Sequence, residues 1–192
     1  MAIALAYWSA EFQAFNLYSC DYKFDLSELL ETLAPIGREH IFSPGIIVDR
    51  MNEISQELRI RKSECIPDEI DFDRLRRLCL NAFINHNDFT LLHTVTGCHA
   101  LSVVLPFIAN KREALTSFWQ AILVAYLSTG LEYSSIQEPR NIEVNFAPII
   151  DAALTSLDSH VIKLVYTCWQ EYEKHKEPCY FIAAQRAIST RA

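Results

Sequence analysis

The stretch D-S-H-V-I-K at residues 158–163 sets an imidazole and an amine, His160 and Lys163, three positions apart. Positions i and i+3 share one face of a helix, so the two side chains can be aimed at a common point. The following V-I-K-L-V-Y-T-C-W is apolar on nearly every side, which predicts a helix surrounded by others and makes a lysine there unusual. One reading has Lys163 lay its methylenes along the helix and hold its ammonium in water. The other has it buried, where the charged form is disfavoured. A neutral amine binds metal, or takes up carbon dioxide to become a carbamate with oxygens like those of a carboxylate. His160 lies in the first turn, where the helix N-terminus favours the neutral, metal-binding imidazole.

A second group of candidates lies in I-N-H-N-D-F-T-L-L-H-T-V-T-G-C-H-A-L, with His86, His93 and His99. His93 falls in the second turn of a helix capped by Asn87 or Asp88. Gly97, four residues later, is expected to leave space beside its imidazole. His99 is six positions on, about 120° around an unbroken helix, so both rings reach one ion only if the helix loosens near Gly97. A histidine in an apolar helix is otherwise a hydrogen-bonded core residue. His86 reads as a loop residue, and His40 and His175 as surface. The sequence contains no H-E-x-x-H, no Gly-rich phosphate loop and no nucleophile elbow, so a nicotinamide cofactor would be used without its usual fold.

The elements that must position these groups are helical. The period of 3.6 residues recurs throughout, and strand-like alternation over four or more residues is hard to find. The pattern predicts helices over 3–19, 26–34, 46–62, 71–84, 89–109, 111–129, 147–156, 159–174 and 179–188. This is an all-α bundle of about eight or nine helices in a single domain spanning 1–192. Ser43-Pro44, Asn110 with Glu113, Asp158 or Ser159, and Pro178 mark helix starts. Pro106 marks a kink or stop, and three of the four glycines, Gly37, Gly45 and Gly130, are placed at helix ends. Residues 131–146 form the longest loop.

Composition narrows the functional classes. A net charge of −7 argues against a nucleic-acid surface, and the basic runs at 59–62 and 74–77 are flanked by acids and read as solvated helix faces. The six cysteines are scattered without a C-x-x-C pair, the pattern of free, buried thiols in a reducing, cytoplasmic setting. The apolar opening lacks a basic n-region and carries Glu11, and no other stretch reaches the ~18 apolar residues of a membrane span, so neither a signal peptide nor a membrane protein is expected.

L-L-H-T-V-T-G-C-H-A-L, F-W-Q-A-I-L-V-A-Y-L-S-T-G, D-S-H-V-I-K-L-V-Y-T-C-W-Q-E-Y and Y-F-I-A-A-Q-R-A resemble, in order and spacing over residues 86–188, the C-terminal half of the questin oxidase-like proteins. These are fungal and bacterial oxidoreductases, some acting in anthraquinone-derived polyketide pathways. The resemblance implies an all-helical enzyme that uses molecular oxygen to open anthraquinone-type rings, by Baeyer-Villiger or dioxygenase-like chemistry, at a histidine-rich non-haem Fe(II). By motif, His93, His160 and Lys163 are the implied ligands and His99 a fourth, with Lys163 as a carbamate supplying the anionic ligand and His160 and Lys163 closest to the chemistry. Trp119 and Tyr126 are expected to line an apolar pocket. NADPH is associated with the questin-oxidising reaction.

Family members are roughly twice this length, and their N-terminal half is expected to supply a further histidine. At residues 4–12 the family reads His-Leu-Gly-Tyr where this sequence has Leu5-Ala6-Tyr7-Trp8. The competing expectation is therefore a catalytically inactive, truncated paralogue that binds a hydrophobic ligand or partner helix and self-associates into a homo-oligomer.

Overall fold

Eight α-helices form from the apolar periodicity among the residues that the computed structural model describes, 14–20, 24–134 and 142–189. They are α1 (Leu26–Glu39), α2 (Ile47–Ile60), α3 (Phe72–His86), α4 (Phe89–Val104), α5 (Lys111–Leu127), α6 (Ala147–Leu154), α7 (Ser159–His175) and α8 (Pro178–Ser189). The all-α class holds. The strands β1 (Tyr18–Ser19) and β2 (Glu64–Ile66) make one small parallel pair.

That pair corrects the end of the helix expected over 3–19. Residues 1–13, including the Leu5–Trp8 segment, lie outside the described residues, but Phe15–Ser19 are not helical. Their backbone is committed to distant partners: Leu17 N–H donates to Gln120 Oε1 at 3.0 Å and Cys20 N–H to the Ile66 carbonyl at 2.7 Å. Each long-range bond replaces one that a local helix would have made. Within the long loop, residues 135–141 also lie outside the described residues.

Helix α5 is the centre of the core. Trp119, Leu123 and Val124 have no exposed surface, and α1, α2, α3 and α4 all pack on this helix. Trp119 donates its indole N–H to the Cys65 carbonyl at 2.7 Å, and Tyr126 donates its hydroxyl to the Glu132 carbonyl at 2.9 Å. Both aromatic rings are thus spent on the core rather than on a pocket, contrary to the sequence expectation. A buried aromatic with a polar tip packs this way when the tip finds a backbone acceptor.

Three helix boundaries differ from expectation for local reasons. Helix α1 continues through Pro35 to Glu39, because Gly37 lets its last turn lie directly on the end of α5: a Cβ at Gly37 would stand 2.1 Å from the Leu127 carbonyl oxygen. Gly37 is therefore a packing residue inside a helix. Helix α2 begins after Ile46, whose N–H donates to Asp49 Oδ2 at 2.9 Å, while Ser43 N–H is taken by Glu53. Helix α4 stops at Val104 because Pro106 has no N–H to continue the ladder, and Leu105–Phe107 close as a 3₁₀ turn.

One expected surface residue is interior, and one apolar stretch is longer than expected. Arg76, in the second basic run, is 3% exposed and reaches from α3 to Glu177, at the turn between α7 and α8, through two bonds of 2.7 and 2.8 Å. It also donates to Tyr180 Oη at 3.1 Å and to Asp73 at 2.7 Å. The stretch Phe89–Phe107 carries no charged residue and, with mean hydropathy 1.3, is long and apolar enough to cross a membrane by length and composition. Scattered His, Thr, Gly and Ser hide that in the sequence. In the fold α4 packs against α3, α5 and α7.

The close approach at Gly37 sets a test. Gly37→Ala is expected to destabilise the protein by about 1–3 kcal/mol, since a methyl cannot share space with a backbone carbonyl. Gly97→Ala, whose Cβ would meet only the Phe118 ring at 3.3 Å, is expected near neutral because alanine favours the helix. Urea denaturation of the two variants checks the contrast.

Candidate functional site

Helices α4 and α7 lie side by side and run parallel. One offset of 67 residues pairs His93 with His160, ring centroids 5.3 Å apart, and His99 with Tyr166 at 6.0 Å. Asp88 starts α4 by accepting the N–H groups of Thr90 and Leu91, and Asp158 starts α7 by accepting that of His160 at 2.8 Å. These two caps set where the helices begin, with His160 in the first turn of α7 and His93 in the second turn of α4.

Both imidazoles of the first pair are oriented. His93 Nδ1 lies 2.8 Å from the Phe89 carbonyl and His160 Nδ1 lies 2.9 Å from Asp158 Oδ1. Carbonyl and carboxylate oxygens only accept, so Nδ1 carries the hydrogen in each ring and the lone pair of the neutral ring is on Nε2. Phe89 closes the group edge-on, 4.8 Å from each imidazole, and holds their planes apart. Two imidazoles bound through nitrogens at ~2.0–2.1 Å to one ion have ring centroids on the order of 5 Å apart, a spacing this pair shares with an ordinary edge-to-face ring contact. The Asp158–His160 contact is the carboxylate–imidazole arrangement that commonly backs a metal-bound histidine. His93 is exposed and His160 one-third exposed, so the pair opens outward.

Lys163 stands one turn beyond His160 on the exposed side of α7. The burial on which neutral-amine chemistry was expected is absent, because the helix presents this face to its surface rather than to a neighbour. His99 is also apart. Helix α4 runs unbroken through Gly97, which leaves His99 about 9 Å further along the axis. The space left by Gly97 belongs to Phe118 of α5, not to an imidazole. Among the described residues no three His, Cys, Asp or Glu side chains converge to hold a metal.

A second polar group follows down the same helix pair. His99 Nδ1 donates to Glu171 Oε1 at 2.7 Å, and Ser102 Oγ lies 3.4 Å from the same oxygen. His175, expected at the surface, turns in beside this carboxylate: its Nε2 is buried 3.2 Å from Glu171 Oε2, without the alignment of a hydrogen bond. Burial pushes the Glu171 carboxyl up, but the His99 hydrogen bond and the Lys174 charge more than offset it and leave the group below the ordinary range. Burial and the Arg76 guanidinium push His175 down. Beneath them, a contact with Cys79 and burial raise the Cys98 thiol well above its usual value. Glu171 and Arg76 were missed in the sequence. The available signal was Glu171 and His175 four apart on the face that carries Leu164 and Cys168. His86 sits at the end of α3, its Nε2 2.8 Å from the Glu132 carbonyl, and fastens the loop after α5.

A model described as questin oxidase-like matches residues 81–168, from the end of α3 into α7. Over these residues, less than half of the chain, the sequence is similar to that family. The questin oxidase-like segment contains His93, His99, His160 and Lys163 and stops before Glu171 and His175. No curated protein and no solved structure matches the chain.

Two tests follow from the caps and carboxylates. Asp158→Ala is expected to cost about 1 kcal/mol of stability through the lost cap, whereas Asp158→Ser keeps the cap and releases only the imidazole. Nitrogen NMR of His160 should show Nδ1–H in the wild type and loss of that preference in both variants. The Arg76 hydrogen bonds hold the Glu177 carboxyl below its ordinary value of 4.5. Its contribution is then complete above that value and disappears as pH falls through the lowered one. Glu177→Gln should flatten the acid side of a stability–pH curve and leave its neutral-to-alkaline shape unchanged.

Proposed function

We propose that the protein is an oxygen-dependent oxidoreductase that cleaves a ring of an anthraquinone-like polyketide at a non-haem iron held by His93 and His160. The relation to the questin oxidase-like family gives the oxidoreductase class. The observation that carries the finer reading is the meeting of two imidazoles from helices 67 residues apart, with both Nδ1 atoms occupied by oxygen and both Nε2 atoms left as donors.

The donor set fits iron at two positions. Neutral imidazole nitrogens suit non-haem Fe(II), and the open positions such centres need are consistent with a pair that faces outward. Lys163, one turn along and exposed, is the residue we assign to the anionic position: coordination to the iron, not burial, would hold the carbamate it forms with carbon dioxide. Bound iron would supply the activation of oxygen. The protein's own contribution is orientation. Asp158 and the Phe89 carbonyl fix the tautomers, and the Phe89 ring packs edge-on against both imidazoles.

A second reading is favoured by a specific observation. Phe89, Val103 and Phe107 on α4 and Tyr166 and Trp169 on α7 are exposed, Phe107 at 87%. A helical protein that binds a hydrophobic ligand or partner there, without chemistry, would expose the same side chains.

Metal uptake separates the two. The protein incubated anaerobically with Fe(II) and bicarbonate is expected to bind about one iron, with affinity falling at least about tenfold in His93→Ala and in His160→Ala. Lys163→Ala should weaken binding only when bicarbonate is present. Wild-type protein that takes up no iron, or variants that take it up equally, would leave the binding-protein reading in place.

A further inference from the structure

The polar groups of the α4–α7 face fall into two sets, and the metal reading uses only one. The other is built on Glu171, which is 5% exposed and accepts from His99 at 2.7 Å. A carboxylate this buried holds an imidazole more firmly than one in water would, because nothing competes for its oxygens. Since the carboxylate takes Nδ1–H, the lone pair of a neutral His99 is on Nε2. Among the described residues Nε2 has no hydrogen-bond partner, and it is not one of the buried unpartnered atoms, so it is the part of the ring that faces outward. Beside it stands Tyr166, 54% exposed with its ring 6.0 Å from the imidazole, and next to Tyr166 stands Trp169.

An imidazole whose one nitrogen is tied to a buried carboxylate and whose other nitrogen is open is the arrangement by which proteins build a general base. The carboxylate fixes the tautomer and stabilises the imidazolium that forms. His175 borders the other oxygen of Glu171, and Ser102 borders the same oxygen as His99, so the carboxylate cannot swing away. The position about 9 Å along α4 from His93 separates this group from the two-imidazole pair, and Tyr166 beside His99, with Trp169 further on, offers rings that a flat ring system would lie against.

We propose that His99, positioned by Glu171, is a general base that deprotonates an aromatic hydroxyl of a ligand lying on the exposed Tyr166 and Trp169 side of the α4–α7 pair. The ligand's O–H proton passes to His99 Nε2, the electron pair of that bond stays on the oxygen as an aryloxide, and Glu171 balances the imidazolium. One proton moves and nothing is oxidised or reduced. His99 would touch the ligand, and Glu171 acts through it as a positioning residue. An aryloxide is the more electron-rich partner in any later oxidation of the ring, so the inference deepens the proposed function and rests on its aromatic substrate class.

The test uses the full chain freed of metal and 2-hydroxyanthraquinone as the probe, whose visible absorption changes on ionisation. Bound to the wild type, the probe is expected to ionise at least one pH unit below its value in solution, a tenfold change in the ionisation ratio. His99→Asn keeps a nitrogen able to donate to Glu171 but has no base, and should return the probe to its solution value with the thermal unfolding curve in place. Glu171→Gln should give an intermediate shift. A probe that fails to bind the wild type, binds without a shift, or shifts equally in His99→Asn would overturn the proposal. Iron uptake is measured on the same variant. Unchanged uptake in His99→Asn supports the assignment, and lost uptake would make His99 a ligand and overturn it. Absence of iron binding in the wild type with the optical shift intact would count against the metal reading alone.

Discussion

Two carboxylates fasten the α7–α8 hairpin to the rest of the molecule. Glu171 on α7 takes His99 of α4, and Glu177 at the turn takes Arg76 of α3. Desolvating these charges is costly, and they are tolerated because each oxygen has a cationic or N–H partner close by. Removing Glu171 would leave the His99 Nδ1–H without its acceptor, and removing Glu177 would leave Arg76 only Asp73 and Tyr180. The apolar contacts of Leu164, Val165 and Cys168 give the hairpin most of its adhesion, but they are nearly isotropic. The directed bonds decide how far α7 slides along α4, and that slide places His160 opposite His93.

The face shared by the two helices then divides into a pair of imidazoles at its N-terminal end and an imidazole–carboxylate dyad further along, with Tyr166 and Trp169 beside the dyad. The first set has its one acid, Asp158, at the edge, taken by His160 Nδ1, and the second is centred on a buried acid bordered by nitrogen at both oxygens. Under the proposed reading their chemistry differs: two adjacent imidazoles with free Nε2 lone pairs suit a cation, whereas an imidazole backed by a buried anion suits a proton. The charge-free outer side of α4 keeps both beside a surface that apolar, flat molecules prefer to water.

Much of this was legible in the sequence. The helices appear because their apolar period is unbroken, and their starts at Asp88, Asn110, Asp158 and Pro178 because caps are local chemistry. The meeting of His93 with His160 rested on the resemblance, since no periodicity ties residues 67 apart. Burial was the harder quantity to read. Lys163 sits in an apolar run and is exposed, while Arg76 sits in a basic run and is interior. In both cases the decision belongs to the neighbouring helix, which the run itself does not specify. Likewise the strand at Tyr18 comes from a tertiary hydrogen bond to Gln120, and Pro35 stays helical because Gly37 fits the end of α5.

Helices α3 and α4 are joined by Asn87 and Asp88 alone. Asn87 takes the left-handed backbone, φ 50°, that ends α3, and Asp88 at once caps α4. A joint this short has no slack, so the rotation of α4 about its own axis is inherited from α3, which Arg76 in turn anchors to the hairpin. The azimuth of the shared face is therefore closed in a loop: α3 sets α4, α4 receives α7, and α7 returns through Glu177 to α3. A helix pair phased in this way keeps its imidazoles facing one another without any group between them to hold them there.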